Sequence, residues 1–169
     1  HEWLKLGYDE ESIPRREFLF KYIKEFEPFD SVLDIGCGDG PDMKLLKLAY
    51  PHLLTVGIEE NGNKAEDGNR KLGDKYILNF GAEIIQNETI FKDNSYDLVI
   101  SNAAIMYVPW PTAILREMYR IARKGIVMVE QESDYLGRAL KDYKHEKFPT
   151  DFIENHDWKT KGYLIKIKK

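Results

Sequence analysis

The run Asp34-x-Gly36-x-Gly38-x-Gly40 is where residue types and spacing first point to chemistry. Glycine is required where the backbone takes positive φ or where a ligand lies directly on the main chain, so three alternating glycines mark a binding loop. Val32 to Ile35 before them reads as a strand. Pro41 to Tyr50 after them reads as a helix, with proline in the first turn, where its missing N–H costs nothing. Such a loop is suited to a nucleoside-type cofactor. Leu53 to Ile58 forms a second apolar strand ending in Glu59-Glu60. A carboxylate about twenty residues beyond a glycine loop can accept both ribose hydroxyls, and period two puts these two acids on opposite sides of the chain.

The loop's details separate two kinds of cofactor. A dinucleotide fingerprint needs a third glycine for close helix packing, and Pro41 occupies that position. Asp34, on a buried strand, needs a cation or donor to offset its desolvation. A pyrophosphate would be repelled by Asp34 and Asp39, whereas S-adenosylmethionine brings an ammonium and a sulfonium.

With these residues in place, Asp34-x-Gly36-x-Gly38-x-Gly40 resembles the first motif of class I S-adenosylmethionine-dependent methyltransferases, and the resemblance extends over roughly Phe18 to Glu132. It implies that Asp34, Gly36, Cys37 and Gly38 hold the cofactor, and it selects Glu59 over Glu60 as the ribose ligand. Glu83 to Gln86 reads as a third strand. The resemblance assigns the adenine amino group to the residue after it, either Asn87 or Glu88. Tyr96-Asp97 before the strand Leu98 to Ser101 resembles the family's second motif, with Asp97 structural. Asn102 to Val108 leaves the carboxyl end of that central strand, where open parallel sheets bind their ligands. Asn102 is therefore placed near the cofactor, and Tyr107 facing the methyl acceptor. Phenols, with a pKa of about 10, are poor bases at neutral pH, which gives Tyr107 a positioning role.

The elements around these residues alternate between strand and helix. This predicts an α/β, Rossmann-like three-layer sandwich with right-handed crossovers. The resemblance implies a mainly parallel seven-stranded sheet closed by an antiparallel pair, here with a shortened C-terminal part. Phe18, Tyr22 and Phe26 recur at helical spacing with Ser12 as a cap, and Pro28 ends that helix. Residues 1–28 read as an arm and helix; the resemblance implies a lid over the site, bringing Trp3, Tyr8 and Arg15-Arg16 near it, while the favoured reading is that these aromatics cover the sheet edge and the arginines are solvated. A helix is expected within Asn61 to Phe80. Leu115, Met118 and Ala122 line another, with Gly125 as its left-handed stop. Ile126 to Val129, Phe152-Ile153 and Tyr163 to Lys168 read as strands, the last an edge strand guarded by lysines.

Composition narrows the function. The 169 residues form one expected domain, 1–169, and no apolar run approaches the roughly 18 residues of a membrane helix. A net charge of −4 disfavours a broad nucleic-acid surface, leaving a small polar acceptor. The lone Cys37 excludes internal disulfides and fits a reducing, cytoplasmic setting. His52, His145 and His156 lack metal-ligand spacing, so no metal is expected. The chain opens at His1, so its natural amino terminus is expected to lie elsewhere. Oligomeric state is not encoded in these patterns. The reading is methyl transfer from S-adenosylmethionine. Its rivals are a catalytically silent cofactor-binding partner subunit and, disfavoured by Pro41, a nucleotide-dependent oxidoreductase.

Overall fold

Alternating apolar strands bury both faces of a central sheet in the computed structural model, which describes residues 13–149 and 160–167. The strands are β1 (Ser31–Ile35), β2 (Leu54–Ile58), β3 (Ile77–Leu78), β4 (Tyr96–Asn102), β5 (Ala122–Gln131), β6 (Glu146–Pro149) and β7 (Thr160–Lys166). Their order is β3-β2-β1-β4-β5-β7-β6. β1 to β5 pair in parallel, and β7 runs antiparallel to both β5 and β6. The chain reverses direction in the sheet between β1 and β4, so the carboxyl ends of these neighbours open a crevice.

Side-chain alternation fills two layers. Val32, Leu98, Ile100 and Val127 pack with Leu19 and Ile23 of α1 (Ile13–Ile23) and Leu46 of α2 (Pro41–Ala49). Leu33, Ile35, Val99 and Met128 point the other way, onto Ile114, Leu115, Met118 and Ile121 of α4 (Pro111–Ile121) and Leu136 of α5 (Asp134–Leu140). Each such buried aliphatic contributes about 1.5–3 kcal/mol by leaving water. Between them in sequence, α3 (Gly62–Leu72) begins at an Asn61 cap that accepts the Lys64 N–H and stops at Gly73 (φ 80°).

Several expectations are corrected. The third strand is Ile77–Leu78, inside the stretch read as helical, and residues Ala82–Gln86 form a 3-10 helix. A two-residue strand carries too little periodicity to be seen, whereas Ile84-Ile85 imitates a buried strand. Gly125 is not a helix stop. It lies within β5, and its missing Cβ leaves room for the Phe26 ring, which a Cβ would meet at 2.2 Å. The sixth strand is Glu146–Pro149; Ser12, Trp3, Tyr8, Phe152, Ile153 and His156 fall outside the described residues. Asp97 is structural, accepting the Asp30 N–H at 2.7 Å and Arg123 Nε at 2.8 Å. Among the described residues, no helix is long and apolar enough to cross a membrane.

Candidate active site

The loop leaving β1 takes left-handed backbone at Gly36 (φ 69°), Gly38 (φ 60°) and Gly40 (φ 80°). Its first amides are tied to β2, with Gly36 N and Cys37 N both donating to the Ile58 carbonyl at 2.8 and 3.0 Å. At Gly36 a Cβ would stand 2.3 Å from the Ala104 Cβ, so only glycine lets the loop after β4 close upon it. At Gly38 a Cβ would meet nothing within 4 Å, which leaves its main chain open to a ligand.

Glu59 stands at the tip of β2. Its Oε2 accepts the Gly38 N–H at 2.8 Å and its Oε1 the Asn61 N–H at 2.9 Å. Each carboxylate oxygen keeps a lone pair for another donor, so the group is fixed and still able to accept hydroxyls. Asn79 Nδ2 donates to the Glu59 and Glu60 carbonyls at 3.0 and 2.9 Å, holding this tip in place.

Gly36, Gly38, Glu59, Glu60 and Tyr107 all line one cavity of about 810 Å³. Phe80, Ala82, Glu83 and Gln86 close one side, and the segment from Ala103 to Ile114 closes the other. Charge is confined to the first side, where Glu59, Glu60, Lys64 and Glu83 lie. The opposite wall is apolar and aromatic, with Tyr107 65% and Trp110 72% exposed at the rim.

Beneath the glycine loop sits a buried polar cluster. Arg16 Nη1 is 2.5 Å from Asp42 Oδ1, and Asn102 Nδ2 donates to Asp42 Oδ2 at 3.1 Å. Among the described residues, Asp34 Oδ2 and Asn102 Oδ1 are buried without a hydrogen-bond partner. Burial, then the neighbouring Asp42, push the Asp34 carboxyl well above the usual carboxylate range, with Arg16 opposing them. Two orphaned acceptors at the ends of adjacent strands suit a cationic donor, the chemistry of an amino-acid ammonium.

The family model described as "Methyltransferase domain" matches residues 27–165, which spans the whole cavity and every strand except the last residue of β7. The chain belongs to the methyltransferase domain family. An uncharacterized methyltransferase of Schizosaccharomyces pombe is 28% identical over 138 residues, covering 76% of this chain and 49% of that protein. Trans-aconitate 2-methyltransferase of Deinococcus radiodurans is 28% identical over 146 residues, covering 85% and 54%. The methyltransferase domain thus spans about half the length of these two relatives. Among solved structures, the plantazolicin methyltransferase BpumL in complex with SAH superposes with a TM-score of 0.67 at 14% identity, covering 99% of this chain and 90% of that one. A SAM-dependent methyltransferase from Aquifex aeolicus gives 0.66 at 18% identity, covering 99% and 98%. These likenesses establish the fold.

Other residues singled out from the sequence take different places in the methyltransferase domain. Cys37 lies outside the cavity lining: its amide donates to the Ile58 carbonyl, and its buried thiol donates to the Gly38 carbonyl at 3.6 Å, with Sγ 2.4 Å from where a Gly57 Cβ would be. Burial and then Asp34 raise that thiol's pKa, leaving it unreactive. Asn102 is bonded to Asp42 and borders the ionic cluster, outside the cavity lining. Asn87 and Glu88 do not reach the cavity. The Asn87 side-chain oxygen Oδ1 accepts the Thr89 and Ile90 N–H groups at 3.0 and 3.3 Å, closing its own turn, and Glu88 is exposed. Both were placed by counting from a strand that is really a 3-10 helix. Counting from the true β3 reaches Asn79, whose amide is engaged at Glu59 and Glu60, and then Glu83, which does line the cavity. Glu83, Phe80 and Trp110 are among the lining residues that sequence reasoning missed.

Proposed function

We propose that this domain binds S-adenosylmethionine and transfers its methyl group to a small polar molecule. The observation that carries the reading is Glu59, clamped by the Gly38 and Asn61 amides at the edge of an open glycine loop. S-adenosylmethionine supplies a methyl group already activated on its sulfonium. The chain's own work is therefore to bind, align and exclude water, so proximity and orientation carry most of the acceleration. In this reading Glu59 accepts the ribose hydroxyls, Glu83 the adenine amino group, and Asp34 with Asn102 the amino-acid ammonium. The aromatic rim of Tyr107 and Trp110 packs on the acceptor's carbon skeleton. Residues 1–169 act as one domain in a cytoplasmic, reducing setting, with residues 1–28 as a lid whose helix is tied to the loop by Arg16 and Asp42.

Calorimetry with S-adenosylmethionine, S-adenosylhomocysteine and a nicotinamide dinucleotide tests this. Binding of the first two and not the third is expected, and tight dinucleotide binding alone would overturn the proposal. The acceptor can be sought by mass spectrometry after incubating the protein with labelled cofactor and a metabolite extract. Salt-dependent, micromolar binding to RNA or DNA would contradict a small acceptor.

With that acceptor in hand, Tyr107→Phe is expected to reduce turnover by about threefold or less. Tyr107→Ala should reduce it by about tenfold or more, because the ring and not the proton is what positions the substrate. Neither should move cofactor affinity much. Full activity in Tyr107→Ala would put the acceptor on another wall.

A further inference from the structure

Glu130 is a charged side chain with no exposed surface, set at the carboxyl end of β5 on the sheet face covered by α4 and α5. Burying a lone carboxylate is costly, so its surroundings must compensate it. They do so from a single segment. Oε1 accepts the Ser101 hydroxyl at 2.7 Å and the Ala104 and Ile105 N–H groups at 3.1 Å each, and Oε2 accepts the Met106 N–H at 3.2 Å. The three amides open the short 3-10 turn Ile105–Tyr107, whose first N–H groups have no partners within the turn.

The segment held this way is strained and close-fitting. Ala103 sits at φ 55°, a left-handed conformation that alanine seldom takes, with its N–H bonded to the Val129 carbonyl at 2.7 Å. Ala104 presses its methyl toward Gly36, and Tyr107 N–H donates to the Ala104 carbonyl at 3.1 Å. One carboxylate therefore connects the third parallel neighbour in the sheet to both walls of the cavity.

We propose that Glu130 is a positioning residue for methyl transfer, its carboxylate fixing the strained turn 103–107 so that Ala104 seats the glycine loop and Tyr107 faces the acceptor. This rests on the cofactor reading above. The group touches neither cofactor nor acceptor and acts only through the turn.

Glu130→Leu removes every acceptor at nearly constant size. Glu130→Gln keeps an oxygen for Ser101, Ala104 and Ile105 but presents an amide N–H₂ to the Met106 N–H. Native-state amide exchange is expected to accelerate at Met106 alone in Glu130→Gln. In Glu130→Leu it should accelerate at Ala104, Ile105 and Met106, by about tenfold or more in each case. Affinity for S-adenosylhomocysteine, used as the probe, should fall by about tenfold or more in Glu130→Leu and by an intermediate factor in Glu130→Gln. A carboxylate that merely supported the fold would lower the unfolding midpoint while leaving the probe affinity of the folded protein unchanged. Wild-type probe affinity, or wild-type exchange, in a folded Glu130→Leu overturns the proposal. If Glu130→Leu does not fold, the exchange at Met106 in Glu130→Gln decides, and wild-type protection there overturns it. Failure of the wild-type protein to bind the probe would refute the cofactor reading instead, and the exchange pattern would still decide whether Glu130 clamps the turn.

Discussion

Gly36→Ala should bind S-adenosylhomocysteine at least about 30-fold more weakly than the wild type, the largest loss expected from a single methyl group in this protein. The added Cβ would stand 2.3 Å from the Cβ of Ala104 at a φ of 69°. A left-handed non-glycine residue costs about 1–2 kcal/mol and overpacking about 1–3 kcal/mol more. Neither side can retreat cheaply. Gly36 N is bonded to the Ile58 carbonyl, Ala103 N to the Val129 carbonyl, and Ala104 N to Glu130. The loop must therefore shift out of its binding shape. Adding Ala104→Gly relieves the contact but not the backbone conformation, so the double variant should recover part of the affinity and not all of it. Wild-type affinity in Gly36→Ala, read by calorimetry, would mean that the two loops do not meet as described.

The second large effect is expected at Glu59. Glu59→Ala should weaken binding of the same ligand by about 1.5–3 kcal/mol, the range for hydrogen bonds to a charged group. The loss has two sources. The ribose hydroxyls lose their acceptor, and the Gly38 and Asn61 amides lose the carboxylate that holds them, which loosens the loop before any ligand arrives. Glu60, exposed beside Glu59 in the same cavity, holds no backbone amide with its carboxylate among the described residues, so Glu60→Ala should cost clearly less. Equal losses at the two positions would show that the ribose lies between them.

What was legible in the sequence follows from how each element is stabilised. The strands carrying Asp34 and Leu98 are buried on both faces and the one carrying Gly57 is buried at Thr55, Gly57 and Ile58, so their aliphatic runs are bounded, and β1, β2 and β4 emerge with the glycine loop and Glu59 in place. β3 is held by two residues of ladder and by Asn69, whose side chain accepts the Ile77 N–H and donates to its carbonyl. A strand fixed by an asparagine on a neighbouring helix leaves no period to read. Its loss displaced the adenine assignment to Asn87 and Glu88 and hid Glu83. Gly125 misled for a related reason: glycine serves a close approach as readily as a turn, and nothing local distinguishes the Phe26 ring from a helix end. Glu130 was visible as an acid at the end of a strand. Its four donors come from residues 101–106, a contact that only the parallel pairing of β4 with β5 creates.

The seam between β1 and β4 also divides labour along the chain. Most of the cavity's charged and glycine wall is built by residues before that seam is crossed, from Ile35 to Gln86, and its apolar wall by one short stretch from Ala103 to Ile114. The two walls are encoded by separate segments that meet through shared apolar packing, with Ile35, Ile58 and Ile85 against Ile105 and Ile114, and through the Gly36–Ala104 contact. A lineage could therefore rewrite the second stretch for a new acceptor without disturbing the first, provided that residue 104 stayed small and residue 130 stayed acidic. With the acceptor and cofactor placed as proposed, change of substrate becomes a problem of about a dozen consecutive codons that leaves the proposed cofactor residues untouched.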